Sequence, residues 1–247
     1  ELANQLSKDS SLGISVVCGK VSQNLLLIDF DCKDQQFIKA VMGLPIDTLA
    51  QNTWVSETPH GYHIHFLVDE NVELQNANYI LLGEGDSKKE VDLKGEGGLT
   101  KEPPSPGYTN LSAPSSISKI SKKDYEALIQ KLELLTKLKP YIEPTLQVWQ
   151  PGRRALLALA FSAFLRKKLN ISKEDAKKVI KFITTYTNDE EDRETFVEST
   201  YDKTVDEIAI KEWAQQAQAE EWLKKLYELF TLEKTELPTT IFKYNKQ

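Results

Sequence analysis

Two carboxylates at the end of an apolar run are the first residues in this chain that speak of chemistry. In Asn24-Leu-Leu-Leu-Ile-Asp-Phe-Asp31 the Leu and Ile run predicts a strand buried on both faces, and strand periodicity puts Asp29 and Asp31 on one side. Like charges so placed repel, which makes the pair a candidate site for a hard divalent cation. The competing reading is a strand running into an acidic turn, with Asp31 or Asp34 capping the helix that follows.

Two further stretches end strands in polar groups. All three histidines, His60, His63 and His65, fall within one hairpin, and His63 and His65 share a strand face. Both are candidate ligands of a transition metal, although a packed imidazole is the favoured reading of His65. His63 follows Thr58-Pro-His-Gly-Tyr62, a turn that offers an anion a hydroxyl, an imidazole and a closely approaching glycine backbone. The third stretch is Val91-Asp-Leu-Lys-Gly-Glu-Gly-Gly98, with Asp92 on the face opposite Val91 and Leu93. Three carboxylates converging on one place would bind two divalent ions and leave positions for phosphate oxygens, the arrangement that phosphoryl transfer requires.

The elements that must position these residues are legible to different degrees. Ile14–Cys18 and Leu25–Phe30 read as an antiparallel pair joined by a polar turn. Asp34–Met42 carries Phe37, Ile38 and Val41 at helical spacing and stops at Gly43. Thr53–Glu57 and Tyr62–Val68 read as a hairpin, Tyr79–Leu82 as a short strand, and Glu90–Lys94 as another. The Gly- and Pro-rich passage from Gly95 to Gly107 reads as a loop over the sheet, closed by Tyr108–Leu111. Residues 1–12 read as a tail or a first helix.

Beyond Ala113 the pattern becomes helical. Ser121 with Asp124 forms a capping box for a helix that ends at Lys139-Pro140, and Tyr141–Val148 reads as a linker. Helices are expected over 154–168, over 173–186 after Ser172, and over about 190–230 with a break near Lys211. The expected plan is α+β: a mixed, mostly antiparallel sheet domain (1–118), a connecting helix and linker (119–148) and a small all-α bundle (149–247).

Composition narrows the class. The chain has 247 residues, 40% hydrophobic and 28% charged, enough for a full core. Residues 1–118 carry 8 basic and 16 acidic side chains, whereas 119–247 carry 23 and 21. The longest apolar stretch, Ala155–Leu165, is too short to span a bilayer, and neither a signal peptide nor a membrane partner is expected, which points to the cytoplasm. The only cysteines, Cys18 and Cys32, read as reduced thiols and exclude a cysteine-rich zinc site. The chain begins at Glu1 and its only Met is Met42, which reads as a fragment of something longer.

The order of these motifs resembles a known family. A strand ending Asp-x-Asp, then Thr-Pro-x-Gly-Tyr-His-Ile-x-Phe, then Val-Asp-Leu-Lys-Gly-x-Gly-Gly followed by Pro-Pro-Ser, resembles the primase-polymerase domain of archaeal plasmid and phage replication proteins, within the archaeo-eukaryotic primase superfamily. The likeness covers residues 13–112 and extends more loosely to Trp149-Gln-Pro-Gly-Arg-Arg154 and the helices after it. It implies that Asp29, Asp31 and Asp92 hold two catalytic magnesium or manganese ions, and that His63 contacts the incoming triphosphate, with Thr58 where relatives place a Ser. Lys94 would assist with charge. The expected activity is that of a DNA primase and DNA polymerase acting on (d)NTPs and a single-stranded DNA template. The zinc-binding stem of some members has no counterpart here, and the helicase domain of full-length members is absent from this chain.

Arg153 and Arg154 open a helix after Pro-Gly, where free backbone amides favour phosphate, and are the candidate DNA contacts. The lysines at 177, 178 and 181 read first as a solvated face, and Trp149 first as packing rather than base stacking. Two other functions compete. One is a metal-dependent nuclease or phosphohydrolase using Asp29, Asp31, His63, His65 and Asp92; the other is a non-catalytic nucleic-acid-binding module.

Overall fold

The computed structural model describes residues 13–113, 115 and 117–236, so the reading of residues 1–12 lies outside it. The described residues divide into two compact units that part between Lys139 and Pro140, with 185–189 belonging to the first. Mixed α+β architecture with antiparallel sheets and a C-terminal helical region is observed, as expected from the hydrophobic periodicity. Among the described residues no helix is long and apolar enough to cross a membrane.

The first unit is built on a sheet in the order β5 (Ala77–Leu82), β6 (Lys89–Lys94), β2 (Leu25–Phe30), β4 (Tyr62–Val68), β3 (Val55–Glu57) and β8 (Thr109–Asn110), with β9 (Lys119–Ile120) beside β4. All neighbours along that path run antiparallel; only β9 is parallel to its partner. The apolar run of β2 earns its central place because Leu26, Leu27, Ile28 and Phe30 are fully buried. One sheet face packs on helices. Phe30 meets Phe37 of α1 (Gln35–Met42) edge-on at 6.0 Å, and Asp34 caps α1 by accepting from the Phe37 amide at 3.0 Å. Lys131 of α3 (Lys122–Val148) donates to the last carbonyls of α1, Ala40 (2.9 Å) and Val41 (2.6 Å), where a cation complements the helix dipole. A further helix, α2 (Ile46–Asn52), lies in the stretch between α1 and β3 that carried no helix prediction.

The opposite sheet face is covered by a two-stranded ribbon of β1 (Ile14–Val17) and β7 (Leu99–Glu102). This corrects two expectations. β1 does not pair with β2 as a neighbouring strand, since only Gly19 bridges to Leu25, and the Gly- and Pro-rich passage is not all loop. The four residues of β7 alternate exposed and buried, with Thr100 and Glu102 facing inward, and Cys18 completes an apolar seam against Leu25 and Leu27.

The capping box at Ser121 and Asp124 is formed, with the Asp124 amide donating to Ser121 Oγ at 3.2 Å. The linker at Tyr141–Val148 is a correction: α3 continues through Pro140 and Pro144 to Val148. A proline inside a helix costs about 3 kcal/mol, and burial outweighs it here. Tyr141, Ile142 and Thr145 lie in the core of the second unit, Tyr141 at 5.6 Å from Phe164 and Thr145 Oγ1 accepting from Trp222 Nε1 at 3.0 Å.

The second unit contains α4 (Arg154–Lys167), α5 (Lys173–Tyr186) as far as Thr184, α6 (Glu194–Asp202), α7 (Glu207–Gln216) and α8 (Glu220–Glu236). The break foreseen near Lys211 is displaced. Lys211 sits inside α7, and the chain turns instead at 203–206, where Asp206 caps α7, and at 217–219, where Gln218 takes a left-handed φ of 52°. Trp149 is buried in the core, in keeping with the packing role. Lys177, Lys178 and Lys181 face Glu198 (2.8 Å), Asp175 (2.8 Å) and Glu194 (3.6 Å), as a solvated, ion-paired face does.

Candidate active site on the central sheet

Register brings most of the sequence-derived residues together. Asp29 of β2 is matched with Asp92 of β6 on one side and with His63 of β4 on the other. The same row continues outward to Asn78 on β5, Ser56 on β3 and Asn110 on β8. Directly paired residues project to the same face. A single polar row therefore crosses six strands, with Asp29 near its centre.

The end of β2 is held in place by a glycine. A Cβ on Gly61 would stand 1.7 Å from the Phe30 carbonyl oxygen and 2.7 Å from the Cys32 amide nitrogen, so only glycine lets the β3–β4 turn reach the Asp29–Asp31 segment. Thr58 closes that turn. Its hydroxyl oxygen accepts from the amides of Gly61 (2.8 Å) and His60 (3.3 Å), and its own amide donates to the Gly61 carbonyl (2.9 Å). His60 is exposed and Thr58 is buried.

Asp29 and Asp92 are partly exposed and each has a cationic or donor neighbour. Asp29 Oδ1 lies 3.5 Å from His63 Nε2, Lys94 Nζ is 2.7 Å from Asp92 Oδ2, and Asn78 also donates to Asp92. The pKa of the Lys94 ammonium is raised from its ordinary value, first by its hydrogen bond to Asp92. Asp31 is exposed beyond the last paired residue of β2. Among the described residues no three His, Cys, Asp or Glu side chains are gathered tightly enough to ligate one ion. Neighbouring carboxylates repel, and His63, Lys94 and Asn78 offset part of that repulsion. The two-oxygen-donor pair Asp29 and Asp92 nevertheless suits a hard cation: same face, adjacent strands, and access to solvent.

The histidines differ sharply. His65 is fully buried, stacked on Trp54 at 3.7 Å between ring centroids, with Nε2 3.0 Å from Glu102 and Nδ1 3.3 Å from the Trp54 carbonyl. Both ring nitrogens are engaged by protein. His63 is buried on the polar row, with Nδ1 2.7 Å from Glu102 Oε1 and its ring centroid 5.9 Å from that of half-buried Tyr108. Burial alone would push the His63 imidazole down, but the Asp29 and Glu102 carboxylates raise it to about 9.

Glu102 was not among the residues singled out from the sequence. It is fully buried at the end of β7, and burial alone would raise its carboxyl, but hydrogen bonds from His63 and His65 lower it to about 2. Its Oε2 accepts from Ser56 Oγ at 2.8 Å. The available signal was the alternation in Leu99-Thr-Lys-Glu102, masked by Gly97-Gly98 before it and Pro103-Pro104 after it.

Arg153 and Arg154 lie in the second unit, where Arg154 begins α4 and Arg153 donates to Gln218 Oε1 at 2.7 Å. The helix start foreseen there is observed. Comparison with protein-family models, with characterised proteins and with solved structures finds no match to this chain.

Proposed function

We propose that this chain is a template-dependent DNA primase and polymerase that transfers nucleotidyl groups from (d)NTPs with the help of two divalent ions. The observation that carries the reading is the in-register row Asp92–Asp29–His63 on one face of the central sheet, beside a glycine turn pressed against the end of β2. Asp29 and Asp92, joined by exposed Asp31, would hold magnesium or manganese. When bound, such ions activate the attacking hydroxyl and neutralise the developing charge on the phosphates. His63 stands one strand over with Nε2 toward the acidic pair, where it can donate to a phosphate oxygen. Lys94 adds a fixed positive charge on the same edge, and the Thr58 turn keeps its hydroxyl hydrogen for donation. The basic start of α4 at Arg153 and Arg154 supplies phosphate contacts for template or primer.

The hydrolase alternative is weakened by one specific feature. A transition-metal site would require His65 as a ligand, and its two nitrogens are already bonded inside the core. A labelled-nucleotide extension assay with manganese separates the readings: incorporation supports the proposal, degradation of DNA without incorporation supports the hydrolase, and a mobility shift alone supports a binding module.

A further inference from the structure

We propose that Glu102 is the positioning residue of His63, taking the Nδ1 hydrogen so that Nε2 is turned outward to the acidic pair and to an incoming phosphate; the activity arm of this inference rests on the nucleotidyl-transfer reading above. An ionised carboxylate only accepts, so the imidazole nitrogen that faces it at 2.7 Å must carry hydrogen. That orientation leaves Nε2 on the face of Asp29, at a 3.5 Å separation too long for a strong bond. Nε2 therefore keeps its capacity to bond a ligand oxygen.

Glu102 is itself immobilised from several directions. Ser56 Oγ donates to Oε2 at 2.8 Å, Thr100 Oγ1 lies 3.3 Å from Oε1, and His65 Nε2 lies 3.0 Å from Oε1. His65 in turn is fixed by the Trp54 ring. Its role is thereby the support of Glu102 rather than ligation. Stability does not account for a buried charge here, because well-packed apolar groups in place of a buried ion pair are often neutral or stabilising. A carboxylate does what a leucine cannot: it accepts from Nδ1–H and so holds the imidazole in one rotamer, with Nε2–H presented to an acceptor oxygen. Buried acids that orient an active-site histidine act in this way on unrelated folds.

The test uses the whole chain with dATP, manganese and a primed template, and the variants Glu102→Gln, Glu102→Leu, His63→Ala and the Glu102→Leu/His63→Ala double substitution. Glu102→Leu is expected to raise the KM for dATP and lower turnover about tenfold or more. Glu102→Gln, which still offers an acceptor oxygen, should recover most of that loss. The deciding comparison is the double substitution: a residue that works only through His63 costs nothing further once His63 is gone. Additive loss would overturn the proposal, because a merely structural role continues to damage the enzyme without His63. Nitrogen-15 spectra of the histidines give an arm independent of activity and of the Leu variant's folding. The Nδ1–H resonance of His63 should move upfield in Glu102→Gln. An unmoved resonance would overturn the assignment, even if the wild-type chain incorporates no nucleotide and the functional reading itself falls.

Discussion

Asp29 and Asp92 are direct cross-strand neighbours on β2 and β6, although 63 positions separate them in the sequence numbering. Side chains so paired have Cβ atoms about 4.5–5.5 Å apart, a spacing that two carboxylates share comfortably only with a cation between them. In this chain Lys94 and His63 supply part of that compensation from the flanks.

Replacing either acid with Ala is expected to lower nucleotide incorporation by about a hundredfold or more, since several kcal/mol of charge stabilisation in the transition state are at stake. Stability should change by less than about 1 kcal/mol, because the lost repulsion and the lost pairing to Lys94 or His63 oppose one another. Extension assays and urea denaturation of Asp29→Ala and Asp92→Ala check both parts. Retained incorporation would remove the metal assignment.

His63→Ala and His65→Ala should fail in different ways. The first is expected to weaken dATP binding and turnover with modest loss of stability. The second empties a site against Trp54 and unpairs one bond to Glu102, a loss of about 2–4 kcal/mol in folding. Turnover per folded molecule should suffer less in His65→Ala than in His63→Ala. Equal loss of turnover, or zinc bound by both side chains, would favour the hydrolase.

Gly61→Ala tests the seat of the β3–β4 turn. Its methyl group cannot occupy a position 1.7 Å from the Phe30 carbonyl oxygen, so the turn or the end of β2 must move. The expected cost is about 1–3 kcal/mol, with loss of incorporation because the acidic segment shifts with it. Thermal unfolding and extension assays measure the two effects, and a fully active variant of unchanged stability would contradict the close approach.

The Glu102–His63 pair predicts a pH profile with two arms. Glu102 is lowered in the folded state to about 2 from 4.5, so its contribution is complete above about pH 4.5 and is lost as pH falls toward 2. His63 is raised from 6.5 to about 9, so its contribution is complete below about pH 6.5 and is lost as pH rises through 9. Asp29 faces His63, while Tyr108 and Cys18 face Glu102; burial pushes the Cys18 thiol up to about 11, above both windows. Urea denaturation against pH should therefore show a plateau between about 4.5 and 6.5 from this pair, and Glu102→Gln should flatten both arms. Arms of unchanged slope in that variant would assign the pH dependence elsewhere.

Starting a chain requires two nucleotides and a template to be held without a duplex, an entropic cost that calls for additional contacts. Arg153→Ala with Arg154→Ala in the full chain is expected to impair primer synthesis more than primer extension. The salt dependence of template binding should flatten by roughly one to two units of slope. Equal loss of both activities would leave this end of α4 a scaffold only.

What the sequence by itself determined is local. The apolar run of β2, the alternation of β6, the periodicity of α1 and the capping box at Ser121 are each written within a few residues, so strand, helix and cap followed from short-range sterics and hydrogen bonding. Asp29, His63 and Asp92 could be marked as strand-end polar groups for the same reason. Their gathering into one row was decided by antiparallel register, which depends on how distant strands bury their apolar faces together. The partner of β1 is β7, more than eighty positions away, rather than the nearer β2; proximity in sequence misled because covering the apolar face of Leu25 and Leu27 outweighed the shorter connection. α3 passes through Pro140 and Pro144 because the core of the second unit buries Tyr141 and Ile142. Glu102 is the sharpest case. Its type and neighbours suggest an exposed acid in a loop, and only the ribbon that covers the sheet turns it inward, where two imidazoles and a serine replace the water it gives up.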